Sequence, residues 1–366
     1  MSIDLITNYL PPYRMPLYKL LAERYGVEVH CFGGEAHYVP ESLRDLDRQI
    51  AEAPFPAHRM DSQRAARTIA KHSDAVIVAL AGRVAVPSAW RGALRGKTPF
   101  ILWASLWRHP LTLAHQLSYP LMRRIYRRSD AVLTYGPHVS RYVARIRRNE
   151  RNVIVAPQAV EPEIFARPVS AAEQDEWRAQ VGLPEHAPVV LFTGRLVREK
   201  GVHTLIDAWR RVDRPAAVLC IVGDGPLQDR LKREAPPGVV FAGRMPRERL
   251  PVAYAACQTL VVPSIATRRF LEPWGLVCNE AMMQSRPVIG SGAVGAVIGG
   301  LVQHGATGLA FRAGKAPDLA RTIQQMLDEH ELRERLGRLA GVKVADYDYP
   351  AAADAFAEAL GSVGAI

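Results

Sequence analysis

The chain reads as an α/β protein of two doubly wound, Rossmann-like domains in series, facing a central cleft. Three observations predict this. Its 366 residues exceed what a single typical core organises. Short, apolar, β-rich runs alternate with helical patterns from end to end, the signature of parallel sheets joined by crossover helices. The alternation breaks once, over 161–187, rich in Pro, Glu and Ala, and then restarts.

In the first half, strands are expected at 3–8, 27–33, 74–80, 99–106, 130–135 and 152–156, with helices near 15–25, 62–72, 111–128 and 137–147. The break holds one helical stretch, around Ala171–Val181. After it, Ala187-Pro-Val-Val-Leu-Phe-Thr193 reads as a buried strand. The helix expected at about 202–213 carries Val202, Leu205, Ile206, Trp209 and Val212 on one stripe. Further strands are expected at 216–222, 238–242, 258–262, 287–290 and 308–311. The expected division is a first domain over 1–165, a linker over 166–187, a second domain over 188–345, and a terminal helix within 346–366 packing back toward the first domain. Open α/β sheets bind ligands at the carboxyl ends of their strands, so the cleft between two such ends is the expected site.

Hydrophobic content of 48%, 23% charged residues and a mean hydropathy of −0.05 describe a water-soluble globular chain. No apolar run approaches the ~20 residues of a membrane-spanning helix. The opening Met1-Ser-Ile-Asp-Leu-Ile-Thr7 has neither a basic region nor a cleavable apolar segment, so export is not expected. Cys31, Cys220, Cys257 and Cys278 form no Cys-x-x-Cys pair and read as buried thiols of a reducing compartment, the cytoplasm. The net charge of +11 is lopsided: residues 1–170 hold 24 Lys and Arg against 14 Asp and Glu, and the remainder 23 against 22. An acidic partner for the first half fits this (anionic lipid, a phosphorylated acceptor or nucleic acid), and so do solvated helices written in arginine.

Chemistry concentrates in the second half. Thr193-Gly194-Arg195-Leu196-Val197-Arg198-Glu199-Lys200-Gly201 leaves a buried strand and enters a helix. Its glycines allow tight turns, and Arg195 and Lys200 stand at the mouth of the sheet, where two cations suit a diphosphate. An ordinary basic loop is the alternative. In Phe270-Leu271-Glu272-Pro273-Trp274-Gly275-Leu276-Val277-Cys278-Asn279-Glu280-Ala281-Met282-Met283, Pro273 and Gly275 mark a helix start whose first N–H groups, around Trp274 to Leu276, suit an anion. On a helix, Trp274 and Glu280 would stand about 9 Å apart, letting one carboxylate meet a sugar and the other a ribose with the diphosphate between them. A capping charge and a surface residue are the plainer alternatives, although Glu280 sits in an unusually apolar run.

These segments recur with Val222-Gly223-Asp224-Gly225-Pro226, Phe241-Ala242-Gly243, Val262-Pro263-Ser264, Pro287-Val288-Ile289 and Gly305-Ala306-Thr307-Gly308-Leu309, in one order, with seven residues between the two glutamates. As a set they resemble the retaining glycosyltransferases of family 4, of GT-B fold, over essentially all of residues 188–330. The resemblance implies an enzyme that uses a nucleotide-diphosphate sugar, UDP-linked by expectation, keeps the anomeric configuration, and needs neither metal nor cofactor. It makes Arg195 and Lys200 the diphosphate clamp beside Gly194, and sets Glu272 near the reaction centre with the N–H groups of Trp274, Gly275 and Leu276. It gives Glu280 the ribose and runs Gly243-Arg244-Met245 along the base. In the first, acceptor-side domain, His109 of Trp107-Arg108-His109-Pro110 resembles the histidine that reaches the donor sugar from across the cleft. Where many relatives have a Gly-Gly loop after the first strand, this chain has Asn8-Tyr9-Leu10-Pro11-Pro12-Tyr13-Arg14, which leaves Tyr13 and Arg14 for phosphates or acceptor. Trp274 stands where Phe is commoner.

Other patterns carry less. Gly223-Asp224-Gly225 lacks the third glycine, at Gln228, of a dinucleotide fingerprint. Asp45-Leu46-Asp47 and Asp346-Tyr347-Asp348 read as solvated loops and not as metal sites. Gly292-Ala293-Val294-Gly295 with Gly299-Gly300 suits a backbone approaching the donor, or a flexible loop. The alternatives to a transferase are a GT-B epimerase or phosphorylase, and a non-catalytic nucleotide- or lipid-binding module. The acceptor, a small molecule or lipid-linked, has no readable motif, and no nucleic-acid partner is expected. A basic helical stripe, Arg123, Arg124, Arg127 and Arg128 beside Leu121, Met122, Ile125 and Tyr126, suits peripheral contact with an anionic membrane, or a helix packed on the core.

Overall fold

A computed structural model describes residues 2–33, 45–82 and 84–366. The chain forms two compact units: residues 1–159 with 348–366, and residues 160–347.

The first unit follows one grammar. Its elements are β1 (Ile3–Thr7), α1 (Met15–Tyr25), β2 (Val27–Cys31), α2 (Leu46–Ala51), β3 (Ala57–Arg59), α3 (Ala66–His72), β4 (Ala75–Ala79) and α4 (Ala85–Gly96). They continue with β5 (Phe100–Ala104), α5 (Leu113–Arg128), β6 (Ala131–Thr134), α6 (Pro137–Arg147) and β7 (Val153–Val155). All pairings are parallel, in the order β3-β2-β1-β4-β5-β6-β7. The central strands, such as AVIVA of β4 and FILWA of β5, are buried at every residue because helices cover both faces. Alternate residues feed two cores: Ile77, Ile101 and Trp103 pack with Tyr18 and Leu21 of α1, and Val76, Val78 and Leu102 with Trp90, Ile125 and Val143.

Three elements of this unit escape the sequence pattern. β3 has three residues and α2 has six, too short for a period to show. The omission of α4 has another cause. Its Gly92 and Gly96 look like breakers, yet they serve contact: a Cβ on Gly92 would lie 2.1 Å from the Arg67 carbonyl of α3, and one on Gly96 2.2 Å from that of Lys71.

The second unit opens with α7 (Pro162–Phe165) and α8 (Ala171–Gln180), where the sequence suggests a linker. A capping box starts α8: the Ser170 hydroxyl accepts from the Glu173 N–H while Glu173 accepts from that of Ser170. Trp177 of α8 is fully buried, so 166–187 belongs to the second core and is not a tether. Next come β8 (Val189–Thr193), α9 (Val202–Trp209), β9 (Val218–Val222), α10 (Gln228–Glu234), β10 (Val239–Gly243), α11 (Leu250–Ala256) and β11 (Thr259–Val262). α12 (Val277–Met283), β12 (Val288–Ser291), α13 (Gly295–Ile298), β13 (Gly308–Phe311), α14 (Ala316–Asp328) and α15 (His330–Val344) complete it. Its parallel sheet runs β10-β9-β8-β11-β12-β13.

The last helix, α16 (Tyr349–Ser362), lies in the first unit beside α1. Asp348 caps it by accepting from the Ala351 N–H, and Phe356 packs edge-on to Trp103 with ring centroids 4.9 Å apart. Asp45 likewise caps α2, so one member of each acid pair is used by a helix start. The four cysteines are unpaired and buried, and burial pushes the Cys31, Cys220 and Cys257 thiols up to about 12.

Candidate active site

In the second sheet the strand order reverses between β8 and β11, and a crevice opens at the carboxyl ends of such a pair. The loops that hold Gly194, Gly223, Arg244 and Pro263 leave from the carboxyl ends of β8, β9, β10 and β11. Gly194 follows β8 at φ +146°, and the next loops close in on it: a Cβ on Gly223 would sit 2.0 Å from the Gly194 carbonyl. Gly223 in turn donates to the Gly243 carbonyl at 2.7 Å, binding the ends of β9 and β10 together. Arg195 is half-buried, while its fully buried neighbour Leu196 donates to the Asp224 carbonyl at 2.6 Å. Arg244 is exposed and Met245 half-buried, just beyond β10.

Arg198–Lys200 form a 3-10 turn ended by Gly201 at φ +71°. Only glycine fits there, since a Cβ would lie 2.0 Å from the Pro263 carbonyl at the exit of β11. Ile265 donates to the Glu199 carbonyl at 2.9 Å across the same seam. The seam carries Lys200 to Glu272, with Nζ 2.6 Å from Oε2, although 72 residues separate them in the chain. The buried Ser264 hydroxyl donates to the same oxygen at 3.0 Å. The Glu272 side chain is 8% exposed and that of Lys200 29%, so the carboxylate is enclosed while the ammonium remains partly open to solvent.

The two carboxylates have different surroundings. Glu280 accepts from the Tyr254 hydroxyl at 2.5 Å, and Tyr254, fully buried, contacts the Thr193 hydroxyl at 3.0 Å. Burial pushes the Glu280 carboxyl up to about 7, against the opposing pull of Tyr254 and Arg247. Arg247 forks onto Glu161 through both terminal nitrogens and lies 5.1 Å above the Phe165 ring.

The segment between the glutamates corrects the sequence reading. α12 begins at Val277, so Trp274, Gly275 and Leu276 form the turn before it, and the 9 Å helical span does not apply. Gly275 has φ +98°. Trp274 points inward, 3% exposed, and its Nε1 donates to Asn279 Oδ1 at 2.8 Å. The close approach of Gly295 is to its own chain: a Cβ there would be 2.0 Å from the Pro273 carbonyl, and its N–H donates to the Glu272 carbonyl at 3.1 Å.

With this geometry in place, the chain can be set beside known proteins. Residues 173–341 match the family of glycosyl transferases group 1. The chain is 28% identical over 269 residues to alpha-D-kanosaminyltransferase of Streptomyces kanamyceticus, covering 70% of this chain and 68% of that one. It is 34% identical over 191 residues to the lipopolysaccharide core biosynthesis glycosyltransferase LpsE of Rhizobium meliloti, covering 50% and 53%. Against other curated relatives it spans as little as 43% of their length. Anabaena HepE, in complex with UDP, superposes with TM-score 0.80 at 19% identity over 99% of each chain. The fold is GT-B, and the family match and relatives together support glycosyltransferase activity.

The first-unit candidates are more occupied than the sequence suggests. Arg14 is 9% exposed, bonded to the Tyr135 hydroxyl and 4.0 Å above the Trp103 ring, so it is not offered to solvent. Tyr13 also flanks it, at 5.6 Å. His109, in the loop after β5, contacts the His115 carbonyl through Nε2 at 2.8 Å and packs on Tyr119 at 4.5 Å, which ties it to the first two turns of α5. The expected membrane stripe also divides: Ile125 and Tyr126 are buried and Leu121 and Met122 pack on the core, whereas Leu113 and Leu117, earlier on α5, are 77% and 75% exposed.

Tyr254 joins the site unforeseen, and Thr193 enters from a motif noted in the sequence without a role of its own. Tyr254 lies in Leu250-Pro-Val-Ala-Tyr-Ala-Ala256, whose composition announces only core. Ser264 stands in a motif noted in the sequence but with no role attached. Glu280 allows a direct test. Its folded pKa lies above the unfolded value, so it binds its proton more tightly when folded, and stability is lost as pH rises toward and through about 7. Glu280→Gln removes that loss. The variant is expected to melt several degrees above wild type at pH 8 and within a degree or two of it at pH 4; thermal melts at both pH values check this.

Proposed function

We propose that this protein is a retaining glycosyltransferase that moves a sugar from a nucleoside-diphosphate donor, UDP-linked, to a hydroxyl acceptor. The observation that carries the reading is the Lys200–Glu272–Ser264 cluster at the strand-order reversal. Anabaena HepE structures hold UDP, UDP with glucose, and UDP-glucose, which favours a uridine donor here. In the transfer, the bond from sugar C1 to the β-phosphate oxygen breaks and the acceptor oxygen bonds C1 on the same face, passing its proton to the departing phosphate. Charge then gathers on the diphosphate. Lys200 and Arg195 are the cations to meet it, with Glu272 holding Lys200 in place until the donor arrives. Glu280, aimed by Tyr254, takes the ribose hydroxyls, and residues 243–245 run along the base. An epimerase or phosphorylase would use the same clamp but would show sugar inversion without acceptor, or phosphate as acceptor.

Removing a preorganised charge aimed at a developing one costs about 10²–10³ in kcat. Lys200→Ala, Arg195→Ala and Glu272→Ala are each expected to lose that much in UDP-sugar turnover, with the far-ultraviolet spectrum unchanged. Near-native turnover of Lys200→Ala sinks the clamp. Glu280→Ala instead raises the donor KM with kcat largely kept, since ribose contacts act alike in ground and transition states.

The clamp answers the diphosphate charge with protein cations, so the reading includes no catalytic metal. Transfer in EDTA should stay within a small factor of that with Mg²⁺; an absolute requirement for Mg²⁺ or Mn²⁺ overturns this part.

No helix among the described residues is long and apolar enough to cross a membrane. The acceptor side is read as meeting an anionic surface, because exposed Leu113 and Leu117 share α5 with exposed Arg123, Arg124, Arg127 and Arg128. Basic residues near such a bilayer contribute about 1 kcal/mol each. Co-sedimentation with phosphatidylglycerol vesicles is expected at low salt, weakened by about 0.5 M NaCl and by Leu113→Ser/Leu117→Ser. A protein that stays in the supernatant at low salt makes the acceptor a small soluble molecule.

A further inference from the structure

The outer strands of the first sheet carry polar groups that the transfer does not use. Glu28 and His30 are two residues apart on β2 and so share one face. Parallel register sets Asp4 of β1 beside Glu28, and His58 of β3 beside His30. The same face of three adjacent strands therefore presents two carboxylates and two imidazoles in a square.

The side chains turn toward one another. His30 Nε2 lies 2.6 Å from Asp4 Oδ1, and His58 Nε2 lies 3.0 Å from Glu28 Oε2. One ligand atom each from Asp4, Glu28 and His30 fall within 4.8 Å of each other. The imidazoles stack with centroids 5.1 Å apart and planes 27° from parallel, which brings both rings to the same side of the carboxylates. Ser2 donates to Asp4 Oδ2 at 2.8 Å, leaving Oδ1 directed at the cluster, as outer partners orient metal ligands. Asp4 and His30 are 8% and 13% exposed, while Glu28 and His58 are about half exposed, so an ion has an entry path.

We propose that Asp4, Glu28 and His30, completed by His58, form a binding site for a divalent transition metal of the zinc type. Imidazole with carboxylate suits Zn²⁺, whereas Mg²⁺ and Ca²⁺ prefer oxygen alone. Tetrahedral Zn²⁺ with bonds of about 2.0–2.1 Å sets its ligand atoms roughly 3.3 Å apart. The 2.6 and 3.0 Å contacts open by a fraction of an ångström as the ion replaces the bridging protons, while the separations of up to 4.8 Å among Asp4, Glu28 and His30 close by more than one, and the half-exposed His58 swings in from its contact with Glu28. The ion would fasten β3, a three-residue edge strand, to β2 and β1, a structural role separate from donor chemistry.

The test is calorimetric titration of ZnCl₂ into the full, tag-free chain, stripped with chelator and at pH 7.5, alongside thermal melts. Expected are one site of micromolar affinity or tighter, a Tm that climbs with free Zn²⁺, no such shift with Mg²⁺, and weaker binding at pH 5.5 as the ligands take up protons. His58→Gln and Glu28→Gln, both half exposed, should fold and bind at least tenfold more weakly. His30→Gln should abolish the site. Absence of zinc-dependent heat and Tm shift overturns the proposal, and so does unchanged affinity in His58→Gln and Glu28→Gln, which would place the zinc on other surface histidines. None of these readouts depends on transferase activity.

Discussion

The second unit's site depends on one close approach, that of the Lys200–Gly201 backbone to the exit of β11. Residue 201 has no side chain because the Pro263 carbonyl occupies the position its Cβ would take. That proximity lets a lysine on the β8 loop reach a glutamate ten residues beyond β11, with Ser264 completing the carboxylate's bonds. A charge as enclosed as Glu272 is tolerable only when paired, and its removal would take from Lys200 the carboxylate that holds it. The pair thus holds two loops and a cation in place at the same time. The glycines at 223, 225 and 295 extend the principle, each giving room to a neighbouring backbone.

Glu280 shows the opposing strategy. It has a tyrosine hydroxyl and a distant arginine in place of a direct cation, so burial wins and its proton is held to about neutrality. Ionising such a group in the folded state costs stability, because the buried charge has no cation directly against it. Arg247, close enough to act on Glu280, is itself neutralised by Glu161, which keeps the local charge near balance.

In the first unit, Arg14 is enclosed by rings instead of carboxylates. Trp103 and Tyr135 lie on the face of the sheet that α16 also covers, so the terminal helix helps shape the surroundings of that cation. The chain crosses between units near 159 and near 347, and the last nineteen residues complete a core begun by the first.

Continuous apolar strands, the 3.6-residue stripes and a single break in their alternation are local properties, and by themselves they determined two parallel-sheet units and most of their elements. Glycine-flanked loops, two cations and two glutamates in a particular order were equally legible, because turn chemistry and charge are written residue by residue. Tertiary structure alone decided which of these groups meet. Lys200 and Glu272 share no local signal, Tyr254 looks like any core aromatic, and Gly92 resembles a breaker until α3 is placed against it. The start of α12 moved to Val277 because Trp274 is anchored inward on Asn279 and Gly275 takes a left-handed turn, both imposed by the packing of the α13 loop. Pattern records what a residue prefers; close packing across distant segments decides what it touches.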